Sequence, residues 1–191
     1  MKYYSQFGED EWLDTNAPLP EKGFFVDVGA GNPSKFSNTR YFEDKGWDGI
    51  CLDADPLHYA ELIQERKTVF YSVIRSYDGI SPFSVSENPD YSRIGQEIYK
   101  GKTIQAPCHT LNTILMHFRV RHIDILSLDV EGAELEVLEG FSFDQYKPRV
   151  VIIEYKTIGI PDNDSAYIQY FQDLPYKLIH RTESNLIFYR Q

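Results

Sequence analysis

The chain has 191 residues, 42% of them hydrophobic, and sets 19 Lys plus Arg against 29 Asp plus Glu for a formal charge of −10. That length suits one core built on roughly five to seven strands with helices on both sides, and that charge repels a phosphate backbone, so no nucleic-acid partner is expected. No apolar run reaches the ~18 residues of a membrane span, residues 1–23 lack the basic head and apolar stretch of a signal peptide, and Cys51 and Cys108 fit reduced thiols rather than a disulfide framework; a soluble, cytoplasmic protein is expected.

Residues 1–23 read as a cover segment ahead of a domain spanning 24–191. Ser5 is a candidate cap for a short helix with an acidic first turn. Gly8 is unsuited to a helix interior, which leaves Gln6, Gly8 and Asp10 as candidates for a lid. Residues 24–31, FFVDVGAG, then form a short apolar run that ends at Asp27 and two glycines. Such a run reads as a central parallel strand feeding a turn whose glycines, Gly29 and Gly31, let the backbone approach a ligand. Ser37, Asn38 and Thr39 precede a helix ending near Gly46, and a second strand runs to Asp53. Asp55 and Pro56 start a second helix, with Leu57, Ala60 and Ile63 expected on its buried stripe.

Residues 68–74 form a third strand, rich in β-branched and aromatic side chains. Turns are expected at Asp78–Gly79 and at Asn88–Pro89, with 83–85 as a short antiparallel addition. A helix over 111–118 is entered through Thr110. Residues 123–130, IDILSLDV, repeat the opening theme and deliver Asp129; the glutamates after it, including Glu134, read mostly as solvated surface. The fifth strand, RVVIIEY at 149–155, ends in Glu154, and a helix over 165–174 leads to a closing hairpin of 176–180 with 186–189. The alternation predicts a single-domain α/β fold, a Rossmann-like, mostly parallel sheet with a C-terminal antiparallel hairpin and helices on both faces.

Four carboxylates, Asp27, Asp53, Asp129 and Glu154, end four strands, and in such a sheet ligands bind beyond those ends. A pyrophosphate would need a third glycine and free N–H groups, where Asn32, Pro33 and Ser34 stand, and Asp27 would repel it. S-adenosylmethionine, with an ammonium, a sulfonium and a ribose diol, fits better. Asp27 would balance the ammonium, Ser37, Asn38 and Thr39 would hold the carboxylate, and Asp53 would accept the ribose hydroxyls.

The segments SQFGED, FVDVGA, FSNT, GWDGICLDADP and LSLDVEGAELEVLEGF occur in that order, and together they resemble the FkbM-type methyltransferase family from Ser5 to about Tyr155. The resemblance implies a class I methyltransferase fold, S-adenosylmethionine as donor, and an acceptor hydroxyl on a sugar, glycan or other small molecule. The donor-binding set is then Gln6, Asp27, Gly29, Gly31, Ser37, Asn38, Thr39, Asp53 and Asp129; Asp129, Glu131 and Glu154 form the catalytic set, with Asp129 or Glu131 as base. The alternative role for Asp129 and Glu131 is to cap a helix starting near Gly132. The same three carboxylates could hold a Mg²⁺, although no metal is part of the expectation. His109 is a second candidate base, and Tyr91, Tyr99 and Tyr155 are candidates for the acceptor cleft. A donor-binding protein without catalysis and an NAD-type oxidoreductase are the competing functions.

Overall fold

The structure is a computed structural model that describes residues 2–87, 92–94, 101–157 and 161–191. The chain begins with α1 (Glu9–Asn16), β1 (Phe24–Val28), α2 (Arg40–Asp44), β2 (Asp48–Asp53) and α3 (Pro56–Glu65). Five strands follow, β3 (Val69–Tyr71), β4 (Val73–Ile74), β5 (Gly79–Ser86), β6 (Arg93–Ile94) and β7 (Gly101–His109). It closes with α4 (Leu111–His117), β8 (Ile125–Leu128), α5 (Glu134–Glu139), α6 (Phe143–Tyr146), β9 (Val150–Glu154), α7 (Asp164–Gln172), β10 (Tyr176–Arg181) and β11 (Asn185–Arg190).

Seven strands form one sheet in the order β10-β11-β9-β8-β1-β2-β3. The five from β9 to β3 run parallel, and the terminal hairpin adds β11 antiparallel to β9 and β10 antiparallel to β11. The chain winds from β1 outward through β2 and β3, then returns to lay β8 on the opposite side of β1. The strand order therefore reverses between β1 and β8, where a doubly wound sheet opens its ligand crevice.

Residue alternation assigns the two faces. Val26, Val28, Leu126, Leu128, Val151, Ile153 and Leu186 pack beneath α4, α5 and α7. Phe25, Cys51, Ile125, Ile152 and Ile187 pack against Leu13 of α1, Phe42 of α2 and Leu62 of α3. Both faces are covered, so the central strands read as nearly unbroken apolar runs.

Four departures from the sequence reading stand out. The third strand breaks at Ser72: β3 stays in the main sheet, while β4 leaves it for a second sheet of order β4-β7-β5-β6. The short addition expected at 83–85 is a long hairpin in which β5 pairs with β7 from Gly79↔Cys108 to Ser86↔Gly101. On α3 the buried residues are His58 and Leu62, whereas Leu57 and Ile63 are exposed. Asp55 sets that rotation as N-cap, accepting from the backbone N–H groups of Leu57 and His58. Ser5 stands outside α1, whose N-cap is Gly8, yet its hydroxyl still accepts the N–H of Asp10.

Candidate active site

The pairing register gathers the site onto one face. Asp27 pairs with Cys51 and with Ser127, Ser127 with Ile152, and Ile152 with Ile187, which makes one row across five strands. Side chains alternate with period two, so the next row on the same face is Asp53, Gly29, Asp129, Glu154 and Asn185. Asn185 and Glu154 are direct partners in the β11–β9 register. A cavity of about 630 Å³ opens over this row at the carboxyl ends of the strands, within the ~300–1,000 Å³ usual for ligand sites.

Of the donor set, Gln6, Asp27, Gly29, Gly31, Ser37, Asn38, Asp53 and Asp129 all reach the cavity wall. Thr39 does not; it is fully buried, and its hydroxyl donates to the Asp27 carboxylate while accepting from Arg66. Thr39 thus orients Asp27 from behind rather than meeting a ligand. Arg66 is buried at the end of α3. Its guanidinium donates to Glu43 (2.7 Å), Thr39 Oγ1 (2.8 Å), Ser37 Oγ (3.3 Å) and the Pro33 carbonyl (3.3 Å). These bonds tie the loop 33–39 to the end of α3, and the Thr39–Asp27 bond ties it on to β1. Burial pushes the Asp27 carboxyl above the ordinary range, and Arg66 and the Thr39 hydrogen bond oppose the shift.

The two glycines differ in what demands them. A Cβ on Gly29 (φ 75°) would lie 1.7 Å from the Asp129 carbonyl oxygen, so this glycine admits the neighbouring backbone rather than a ligand. A Cβ on Gly31 (φ 58°) would meet nothing closer than 4.0 Å, which leaves its backbone open to approach. The Gly31 N–H donates to Asp53 Oδ2 (2.8 Å) and the Asp55 N–H to Asp53 Oδ1 (2.7 Å). Each Asp53 oxygen accepts one backbone N–H, and a carboxylate has further acceptor capacity on both. His58 Nδ1 lies 3.8 Å from Asp53 Oδ2. Burial raises Asp53 above the ordinary carboxylate range, against the pull of His58 and the two backbone bonds. The first helix after the glycines, α2, starts only at Arg40, so no helix N-terminus follows the turn to receive a pyrophosphate.

Beyond Asp53 the row enters an acidic corner. Asp129, Glu131 and Glu154 each present a carboxylate oxygen within 4.8 Å of the others. Glu131 and Gly132 both have positive φ, 58° and 99°, which turns the chain sharply after β8. The N-cap position of α5 is held by Ala133, with no side-chain cap bond there, so neither Asp129 nor Glu131 occupies the capping position. Glu134, expected on the surface, is fully buried: Oε1 accepts from the N–H groups of Val130 and Gly132, and Oε2 from the Tyr167 hydroxyl. It braces the turn that aims Asp129 and Glu131. Burial and then the neighbouring carboxylates raise Asp129 and Glu154 above the ordinary range.

The N-terminal segment crosses the cavity mouth. Ser5 forms a bridge with Phe36, and Gln6 and Phe7 reach the wall. The buried Glu9 accepts from Thr182 Oγ1 (2.7 Å) and Asn185 Nδ2 (2.8 Å) and so anchors this segment to the terminal hairpin. Other candidates lie elsewhere. Tyr155 points its hydroxyl at the carbonyls of Thr182 and Glu183 with Arg181 over its ring, and His109 pairs with Ser72. Neither lines the cavity. Tyr91, Tyr99 and the turn at Asn88–Pro89 fall outside the described residues. From the second sheet and the strand entering it, Ser72, Val73, Ile74, Phe83 and Ser92 supply one wall.

A sequence profile for the methyltransferase FkbM domain matches residues 27–178. No curated protein matches the chain. Among solved structures, a chain of a fibrillarin/Nop5p complex superposes with TM-score 0.51 at 10% identity, covering 95% of this chain and 79% of that one. A TehB-like SAM-dependent methyltransferase from Corynebacterium glutamicum ATCC 13032 Kitasato gives TM-score 0.46 at 13% identity, covering 97% and 88%.

Proposed function

Because the chain belongs to the family of FkbM-domain methyltransferases, which implies S-adenosylmethionine as methyl donor, we propose that it methylates a hydroxyl of a sugar, glycan or other small-molecule acceptor. The observation that carries this reading is the row itself, with donor-type groups at one end of a single cavity and clustered carboxylates at the other. Asp53, with acceptor capacity on both oxygens and the open Gly31 backbone beside it, suits a ribose diol. Asp27, backed by Thr39 and Arg66, suits the ammonium, and Ser37 and Asn38 suit the carboxylate of the amino-acid tail. When bound, the donor supplies a methyl carbon on a cationic sulfur.

The acidic corner carries the acceptor's proton. Oxygen methylation requires a proton to leave the hydroxyl, and a positioned base adds typically ~10² to 10⁴ in rate. Asp129 and Glu131 stand at the end of β8 beside the switch point and fill that role; the Glu154 carboxylate stands beside them. Alignment of the two reactants accounts for much of the remaining acceleration. The acidic balance of the chain disfavours a nucleic-acid acceptor. Cytoplasmic residence is part of this proposal and is supported by two free, buried cysteines, Cys51 and Cys108.

Calorimetry with S-adenosylmethionine, followed by incubation with labelled donor and fractionated small-molecule and glycan extracts, tests the reading. A saturable donor site and label in an alkali-stable methyl ether are expected. Donor binding with no labelled product from any extract would favour a binding protein, and label on nitrogen or carbon would overturn the hydroxyl assignment.

A further inference from the structure

The strands whose carboxyl ends deliver acids to the cavity start among cations. Lys22 stands just before β1, Arg121 before β8 and Arg149 before β9, while antiparallel β11 ends beside them at Arg190. The backbone joins these segments edge to edge. The Arg190 N–H donates to the Arg149 carbonyl (3.0 Å), the Arg149 N–H to the Ile123 carbonyl (3.1 Å) and the Asp124 N–H to the Phe24 carbonyl (2.8 Å). Four neighbouring strands at ordinary spacing make a band roughly 14 Å wide. The acids of the same segments are Glu21, Asp144 and Asp124, and the last is buried and taken up by Arg149 (3.3 Å), His122 (3.6 Å) and the Phe24 N–H (3.0 Å). A chain of net charge −10 thus gathers positive charge at the end of the sheet opposite the cavity.

A second observation concerns backbone. Arg119, after α4, and Lys147, after α6, both lie in the left-handed region, with φ 55° and 46°. Glycine is the usual residue where a helix ends that way, yet a cation stands at each. The other described non-glycine residues with such backbone, Phe36 and Glu131, line the cavity, and outliers of this kind gather at functional places. Arg119, Arg121 and Lys147 are exposed, and among the described residues none of the three has a side-chain hydrogen bond or ion pair. They therefore neither bond the helix carbonyls nor neutralise an acid of the chain.

We propose that this face docks on an anionic membrane surface. Met116, 67% exposed at the end of α4, is the large apolar side chain exposed beside these cations among the described residues. A protein partner calls for an apolar interface core, which one methionine does not supply. A fluid layer of anionic headgroups asks for charge without shape, and binding gains about fivefold for each Lys or Arg brought to it. In that pose the cavity, at the other ends of the same strands, faces away from the lipid. The docking does not depend on the hydroxyl-methylation reading.

The test is sedimentation of the full chain with vesicles of phosphatidylcholine containing about 30% phosphatidylglycerol, against vesicles of phosphatidylcholine alone. Binding is expected to the anionic vesicles only, and to fall away at high salt. Arg119→Gly combined with Lys147→Gly removes two charges and relieves both left-handed positions, so it should melt no lower than the wild type while binding at least tenfold more weakly. Arg121→Gln should weaken binding several-fold, and Lys102→Gln, on an exposed position of β7, not at all. No sedimentation with anionic vesicles up to millimolar lipid, equal binding to both kinds of vesicle, or unchanged binding in the double glycine variant overturns the proposal. Retention on heparin or duplex DNA without vesicle binding would assign the face to another polyanion and overturn it as well. Calorimetry with S-adenosylmethionine on the same preparation reports on the donor site separately, so loss of one reading leaves the other standing.

Discussion

Replacing Arg66 with Met should damage both stability and the donor half of the cavity. The guanidinium is buried and makes four hydrogen bonds, one to the buried carboxylate of Glu43 at 2.7 Å. Removing one partner of such a pair leaves the other uncompensated and costs about 3–5 kcal/mol. For a chain of this size each kcal/mol lowers the melting temperature by about 2–4 °C, so a fall of about 6–20 °C is expected. Arg66→Lys should recover only part of it, because an ammonium is a point charge and cannot reproduce the four-way fork. Adding Glu43→Gln to Arg66→Met should cost less than the two single changes summed, since the stranded charge is removed. The loop 33–39 loses its tether in Arg66→Met, so calorimetry should show donor affinity down more than tenfold, and a donor fragment without the amino-acid tail should be affected less. Urea unfolding that places Arg66→Met within 1 kcal/mol of wild type would refute the network.

Other consequences can be checked on the same protein. Asp53→Asn removes the charge and sets an NH₂ donor against one of the two N–H groups, of Gly31 and Asp55, that the carboxylate oxygens accept. Donor affinity should drop at least about tenfold, the worth of roughly 1.4 kcal/mol, and the unpaired N–H should cost about 1–3 kcal/mol of stability; calorimetry showing equal affinity would remove Asp53 from the site. Gly29→Ala and Gly31→Ala both force a side chain into left-handed backbone at a cost of about 1–2 kcal/mol. Only the former also drives a Cβ to 1.7 Å from a carbonyl oxygen. Gly29→Ala should therefore melt well below Gly31→Ala, and equal melting temperatures would contradict the close approach of the two strand ends. Asp27 and Asp53 are raised in the folded state. Their contribution to the stability of the donor-free protein is thus present below the unfolded value of about 3.9 and lost as pH rises through the folded values. Binding a cationic donor opposes that loss, so affinity should tighten as pH rises above the unfolded value and both carboxyls ionise. A flat pH profile of donor affinity would show that neither carboxylate meets the donor's charge.

The parts of the fold legible in the sequence are those where a strand is buried on both faces. FFVDVGAG, IDILSLDV and RVVIIEY announce β1, β8 and β9 because, past Asp124 and Arg149 at the starts of the last two, the positions are apolar until the chain reaches the cavity. The second sheet is hidden because β5, GISPFSVS, is half exposed and carries Ser and Pro among its apolar residues. On α3 the apolar pattern of Leu57, Ala60 and Ile63 pointed to the wrong face, because the cap at Asp55 fixed the helix rotation first. Arg66, Glu134 and Asn185 were unreadable for one shared reason. A polar residue is buried by partners distant in sequence, here Glu43, Tyr167 and Glu9, and no local pattern records them. The strand-ending carboxylates were legible one by one. That they share a face required the register.

That shared face also limits how the gene can vary in length. Adding or deleting one codon within β1, β2, β8 or β9 would swap the two sides of that strand, because neighbouring side chains point oppositely. A carboxylate would then turn into the apolar layer under α4, α5 and α7, and a Val or Leu would enter the cavity in its place. Such a change fails twice, once in folding and once in chemistry. Related chains should accordingly tolerate length changes in the β5–β7 hairpin, where no member of the row resides, and hold the spacing within the four parallel strands fixed.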